Sequence, residues 1–172
     1  MKRIEEIVHL VESGEVQKAL ALVPDIKKNG SDEEKYELAD HLYSWGMLEE
    51  AKELLEELAH RYPDEGEIRL FLAEVYTDLE EEENALAILE QIDEDDPLFA
   101  RACLIAADLY QMQGLEEVSE RKLQQAYEKM PDEPIIQFAL AELYFSMGQY
   151  SKSIPFYEKV LKKKNHCRYA HS

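Results

Sequence analysis

Four stretches of this 172-residue chain repeat one pattern at a fixed interval of 34 residues, beginning at Asp32, Gly66, Ala100 and Pro134. Superposed, they place small or apolar residues in shared columns. Leu38, Leu72, Ala106 and Leu140 share one column, followed by Ala39, Ala73, Ala107 and Ala141, then by Leu42, Tyr76, Tyr110 and Tyr144. Gly46, Gly114 and Gly148 mark a turn. Beyond it come Ala51, Ala85, Ser119 and Ser153, then Leu55, Leu89, Leu123 and Tyr157, and a proline at Pro63, Pro97 and Pro131. Such spacing describes two short amphipathic helices per unit. A unit of this size buries its apolar face only by stacking on its neighbours, so the period excludes a single central core.

A helix-turn-helix unit of this length, with a leucine, small and aromatic first helix, an alanine-led second helix and a closing proline, resembles the tetratricopeptide repeat. The resemblance runs without insertion from Asp32 to Asn165. It implies an all-α chain, an α-α superhelix built as a right-handed solenoid of helical hairpins, working as a binding scaffold rather than as an enzyme. The repeats would be residues 32–65, 66–99, 100–133 and 134–167. Three features depart from the pattern: the early tryptophan is Lys35, Arg69, Cys103 or Gln137, Glu80 replaces the second turn glycine, and Asn165 replaces the last proline. If the turn requires a left-handed backbone, Glu80 costs about 1 kcal/mol relative to glycine.

Upstream, residues 1–31 lie out of register. Ile4, Ile7, Val8 and Val11 fall on one helical face, Ser13-Gly14 breaks it, and Val16, Ala19, Leu20 and Val23 begin a second stripe, which predicts an N-terminal capping pair. Ser31 with Glu34 reads as a capping box, and Asp64, Asp96 and Asp132 stand where N-caps are expected. Pro155 falls near the first turn of the last helix, where a missing donor is tolerated. Trp45 reads as core rather than as a ligand platform. The cysteines are Cys103, in a packing column, and Cys167, in the tail, so no disulfide framework is expected and a cytoplasmic setting fits.

The net charge of −19 argues against nucleic acid and anionic membrane as partners, because both require a positive field. No apolar run is long enough for a membrane helix. The acidic run Glu80 to Glu83 lacks the spaced oxygen ligands and glycine of a calcium loop and reads as a solvated turn. His9, His41, His60, His166 and His171 share no ligand spacing, and His166, Cys167 and His171 do not close a tetrahedral site. Phosphate loops, nucleophile elbows and paired-carboxylate motifs are absent from the sequence, so no catalytic residue, metal or cofactor is expected.

What the scaffold would hold follows from the helix geometry. With Leu38, Ala39 and Leu42 facing the partner helix, Tyr36, Asp40 and Tyr43 lie on the far side. The resemblance makes that side the concave surface. Across the repeats it reads Tyr36, Leu70, Leu104 and Phe138 in one row, Tyr43, Thr77, Gln111 and Phe145 in another, and Asp40, Glu74, Asp108 and Glu142 between them. One carboxylate per repeat among apolar side chains suits a protein or peptide segment with basic and apolar residues. The same row also fits a generic solvated face, and Tyr36, Phe138 and Phe145 also fit gaps between adjacent first helices. Some relatives in the family clamp a C-terminal carboxylate with asparagine and lysine, which this acidic row opposes. At the other end, residues 168–172 read as a tail or the start of a further repeat. Tyr157, Val160 and Leu161 of the last helix then lack a cover, which predicts self-association, most simply as a two-fold homodimer.

Overall fold

The computed structural model describes the backbone of residues 2–170 and the side chains of residues 3–164. It is all-helical, with no strand among the described residues. The elements pair as hairpins: α1 (Lys2–Glu12) with α2 (Val16–Asn29), α3 (Asp32–Ser44) with α4 (Leu48–Arg61), and α5 (Gly66–Asp78) with α6 (Glu82–Glu90). Then come α7 (Phe99–Met112) with α8 (Glu116–Lys129), and α9 (Pro134–Ser146) with α10 (Tyr150–Ala170). The chain divides into two compact units, Met1–Ile88 and Leu89–Ser172.

Most residues of the columns read from the sequence are buried, while Tyr76, Tyr110 and Tyr157 are half-buried. In the first unit Leu38, Ala39 and Leu42 are wholly enclosed, as are Ala51 and Leu55 opposite them. Ile4, Ile7, Ala19, Val23 and Ile26 extend this core into the capping pair. Val16 departs from expectation: as the first residue of α2 it is 43% exposed, and Ile26 completes the stripe instead. Trp45 is half-buried against the same core and stacks on His41. The second unit buries Ala106, Ala107, Leu123, Leu140, Ala141 and Tyr144.

Each hairpin turns through one left-handed residue. Gly14, Gly46, Gly114 and Gly148 have φ between 75° and 82°, and Glu80 takes the same role at φ 62°. The next amide closes back onto the first helix, as Met47 N to Leu42 O, Glu81 N to Tyr76 O, Leu115 N to Tyr110 O and Gln149 N to Tyr144 O, all at 2.8–2.9 Å. This is the Schellman closure, which satisfies carbonyls that a helix end would otherwise orphan.

The helix ends correct two expectations, the aspartate caps and the place of Pro155, and add the early end of α6. Ser31 and Glu34 do form a reciprocal capping box. The other first helices, however, are capped at Glu65, Leu98 and Glu133 without a side-chain bond, so Asp64 and Asp132 lie one residue upstream and Asp96 two. Asp96 instead accepts from the Leu98 amide at 2.9 Å in the turn before α7. In addition, α6 stops at Glu90, well short of Pro97. The run Asp93 to Asp96 would bring four anions to a helix C-terminus, where the dipole disfavours them, and aspartate is a weak helix former. Finally, α10 begins at Tyr150, which moves Pro155 into the second turn, where the carbonyl of Ser151 loses its helical donor.

Candidate protein-interaction surfaces

In the first unit, the far side of α3 meets α5. Phe71 presents its ring edge-on to Tyr36 at 5.9 Å and to Tyr43 at 5.4 Å, so both tyrosines are half-buried fillers between adjacent first helices. The Tyr43 hydroxyl donates to the Asp78 carboxylate. Burial, followed by that bond and the neighbouring Glu74, raises the Tyr43 pKa. Tyr36 is also raised, by burial and then by Glu67 and Asp40. Leu70 is 7% exposed and belongs to the core, so it offers no surface. Thr77 turns its hydroxyl back to the Ala73 carbonyl at 2.8 Å. What remains open on this face is the pair of carboxylates, Asp40 and Glu74.

In the second unit, Asp108 and Gln111 on α7 are exposed and Leu104 is half-buried. Desolvation raises the Asp108 pKa although its side chain reaches solvent. On α9, Phe138 and Phe145 are 48% and 55% exposed, with Glu142 between them. These residues do not stand apart from the last helix. The Phe138 ring lies 6.2 Å from that of Tyr157, the Phe145 ring lies 5.3 Å from that of Tyr150, and the Tyr157 hydroxyl donates to Glu142 at 2.5 Å. That hydrogen bond raises the Tyr157 pKa. The structure therefore joins Phe138, Glu142 and Phe145, which the sequence placed in a groove, to Tyr157, which it placed at an uncovered end. Val160 is half-buried and Leu161 is 59% exposed on the same helix.

Several of the chain's cations are committed elsewhere. Arg3 pairs with Asp25 and Glu34, Lys35 with Glu57, Lys52 with Glu49 and Glu81, Arg61 with Asp32 and Glu57, and Lys122 with Glu90. Sequence reasoning passed over this network, although Lys35 in a packing column was its signal. Among the described residues no lysine or arginine pairs with Asp40, Glu74 or Asp108.

Neither a metal-binding group nor a membrane-crossing helix occurs among the described residues. The side chains of His166, Cys167 and His171 lie outside them. Cys103 is buried, and that burial pushes its thiol up to about 11, which keeps it protonated and unreactive.

Comparison with known proteins agrees with this architecture. A YpiA-like tetratricopeptide-repeat profile matches residues 111–165, and a second tetratricopeptide-repeat profile matches residues 42–109. The TPR repeat-containing protein YpiA of Bacillus subtilis (strain 168) is 44% identical over 162 residues. That alignment covers 94% of this chain but 38% of YpiA, so the chain spans little more than a third of that relative. Among solved structures, a crystal structure of MamA superposes with a TM-score of 0.75 at 15% identity, over 93% of this chain and 95% of that one. MamA 41-end from Desulfovibrio magneticus RS-1 gives 0.72 at 16% identity, over 95% and 94%. At such identities the likeness is one of fold. The paired profiles, the 44% identical relative and the ten helices among the described residues together place the chain in the tetratricopeptide repeat family.

Proposed function

We propose that the chain is a non-enzymatic, cytoplasmic protein-interaction scaffold whose first helices present carboxylates to a basic or amphipathic segment of a partner protein. One observation carries this reading: Asp40, Glu74 and Asp108, which recur at one position of successive first helices, are exposed and lack a cationic partner among the described residues. Unneutralised charge attracts a complementary segment and raises its encounter rate. The test is selection from a displayed peptide library on wild type and on a folded Asp40→Lys, Glu74→Lys, Asp108→Lys, Glu142→Lys variant. Wild type should enrich lysine- and arginine-bearing apolar peptides whose binding weakens with salt, and the variant should lose them. Enrichment of the same peptides by both proteins would refute the acidic row as the determinant.

Self-association through α10 is a second reading, favoured by the exposure of Leu161. Light scattering over a wide concentration range, with a Val160→Glu, Leu161→Glu variant beside wild type, tests it.

A further inference from the structure

In the first unit, two neighbouring first helices turn alternating aromatic and acidic side chains to one face. Tyr36, Asp40 and Tyr43 recur along α3 at steps of four and three residues, and Phe71, Glu74 and Asp78 along α5 at steps of three and four. Each set therefore forms one stripe. The rings tie the stripes together: Phe71 stands 5.9 Å from Tyr36 and 5.4 Å from Tyr43, at 83° and 86° to them. Since Phe71 reaches both tyrosines, it lies level with Asp40, which stands between them along α3. Both helices belong to complete hairpins, α3 with α4 and α5 with α6.

The three aromatic residues are half-buried and form a floor, while Asp40, Glu74 and Asp78 beside them are exposed. Carboxylates of both helices crowd the tyrosine hydroxyls. After burial, Glu67 and Asp40 raise the Tyr36 pKa, and Asp78 and Glu74 raise that of Tyr43. Among the described residues no lysine or arginine pairs with these four acids. The basic residues of the two helices, Lys35 and Arg69, share a different column, and Lys35 is turned onto Glu57 of α4.

Two side chains answer such a charge, and they differ in what else they require. A lysine ammonium is a compact, strongly hydrated point charge that makes little use of a ring. An arginine guanidinium is planar and weakly hydrated, stacks on aromatic faces, and carries five donors in a fork that serves two carboxylates at once. A floor of rings between a carboxylate on one helix and a carboxylate on the next matches the guanidinium.

We propose that the face of α3 and α5 selects arginine over lysine in the segment it binds, the guanidinium lying against Tyr36, Tyr43 and Phe71 and donating to Asp40 and Glu74. This rests on the acidic row being a partner-binding surface, and adds which cation that surface takes.

The probes are two fluorescently labelled peptides, Gly-Leu-Arg-Ala-Leu-Arg-Ala-Leu-Arg and its counterpart with lysine in place of every arginine, titrated into the full chain by anisotropy. The arginine peptide should bind about fivefold tighter or more, roughly 1 kcal/mol. Phe71→Leu and, separately, Tyr36→Leu keep an apolar side chain but remove a ring. Each should bring the arginine affinity toward that of lysine and leave the lysine affinity nearly unchanged. Asp40→Asn with Glu74→Gln should weaken both peptides. Circular dichroism confirms that each variant remains folded. Equal affinities in wild type, or an arginine preference that survives both ring variants, overturns the proposal; the acidic row then stands without it if Asp40→Asn with Glu74→Gln still weakens both peptides. Absence of binding by either peptide, or indifference to Asp40 and Glu74, overturns both readings.

Discussion

The hydroxyl of Ser119 on α8 donates to the main-chain carbonyl of Ala107 on α7, 2.8 Å away, where the two helices cross. Ser119 is wholly buried and Ala107 is 1% exposed, so the crossing has room for nothing larger than these side chains. Ala107→Leu should therefore destabilise the protein by roughly 1–3 kcal/mol through overpacking. Ser119→Ala removes one neutral hydrogen bond while leaving the volume nearly unchanged, and should cost about 0.5–1.5 kcal/mol. Urea unfolding of both variants checks the order. A leucine variant as stable as wild type would show that the helices are not closest here.

Glu80 occupies the left-handed turn position that glycine fills in the other three repeats and in the capping hairpin. Its side chain is exposed, so the substitution Glu80→Gly relieves the backbone at little packing cost and should stabilise by up to about 1 kcal/mol. The reverse change, Gly114→Glu at φ 78°, meets no steric obstacle at its Cβ and should cost a similar amount. A higher midpoint for the first variant and a lower one for the second, in thermal or urea unfolding, is the expected pair of results.

That turn was legible in the sequence because three glycines at one period define the column into which Glu80 falls. The packing columns were legible for the same reason: Ala39, Ala73, Ala107 and Ala141 repeat too regularly to face anything but a neighbouring helix. Helix caps were not. Asp64 and Glu65 are adjacent acids, and a one-residue difference in where φ and ψ become helical decides between them. The surface was half legible. A helical wheel places Tyr36 and Phe138 at the same angle, yet what covers that angle depends on the next helix. Phe71 buries Tyr36, whereas Phe138 finds only the edge of Tyr157.

Glu34 ties the capping pair to the first repeat. Its carboxylate accepts from the Ser31 amide and from Arg3, and these bonds lower its pKa to about 2. Because the folded-state value lies below the ordinary carboxylate value, the charged form is stabilised by folding. The contribution is complete above the unfolded pKa of about 4.3 and is lost as pH falls toward 2. In Glu34→Gln that part of the acid dependence should vanish, so the wild-type and variant stability curves should converge on acidification. Curves that stay parallel from neutral pH down to pH 2 would assign the acid sensitivity to other carboxylates.

Lys35 sits where the family more often has tryptophan, and its side chain is 6% exposed, with the ammonium 2.8 Å from Glu57. Glu57 is 39% exposed and also binds Arg61 at 3.0 Å, so the two partners are not equivalent. Removing the carboxylate leaves a cation in the core face without its counter-charge, whereas removing the lysine leaves a carboxylate that retains Arg61 and water. Glu57→Gln should therefore cost about 1–3 kcal/mol, below the range for a fully buried pair because water reaches Glu57. Lys35→Met keeps the volume of the stem and removes the cost of desolvating the ammonium, so it should change stability by less than about 1 kcal/mol. Urea unfolding of the two single variants and the double variant separates these terms. The double variant should resemble Lys35→Met, since without the lysine nothing in the core requires Glu57. A Lys35→Met variant weaker than Glu57→Gln would mean that the ion pair, rather than the packing of the lysine stem, holds α3 against α4.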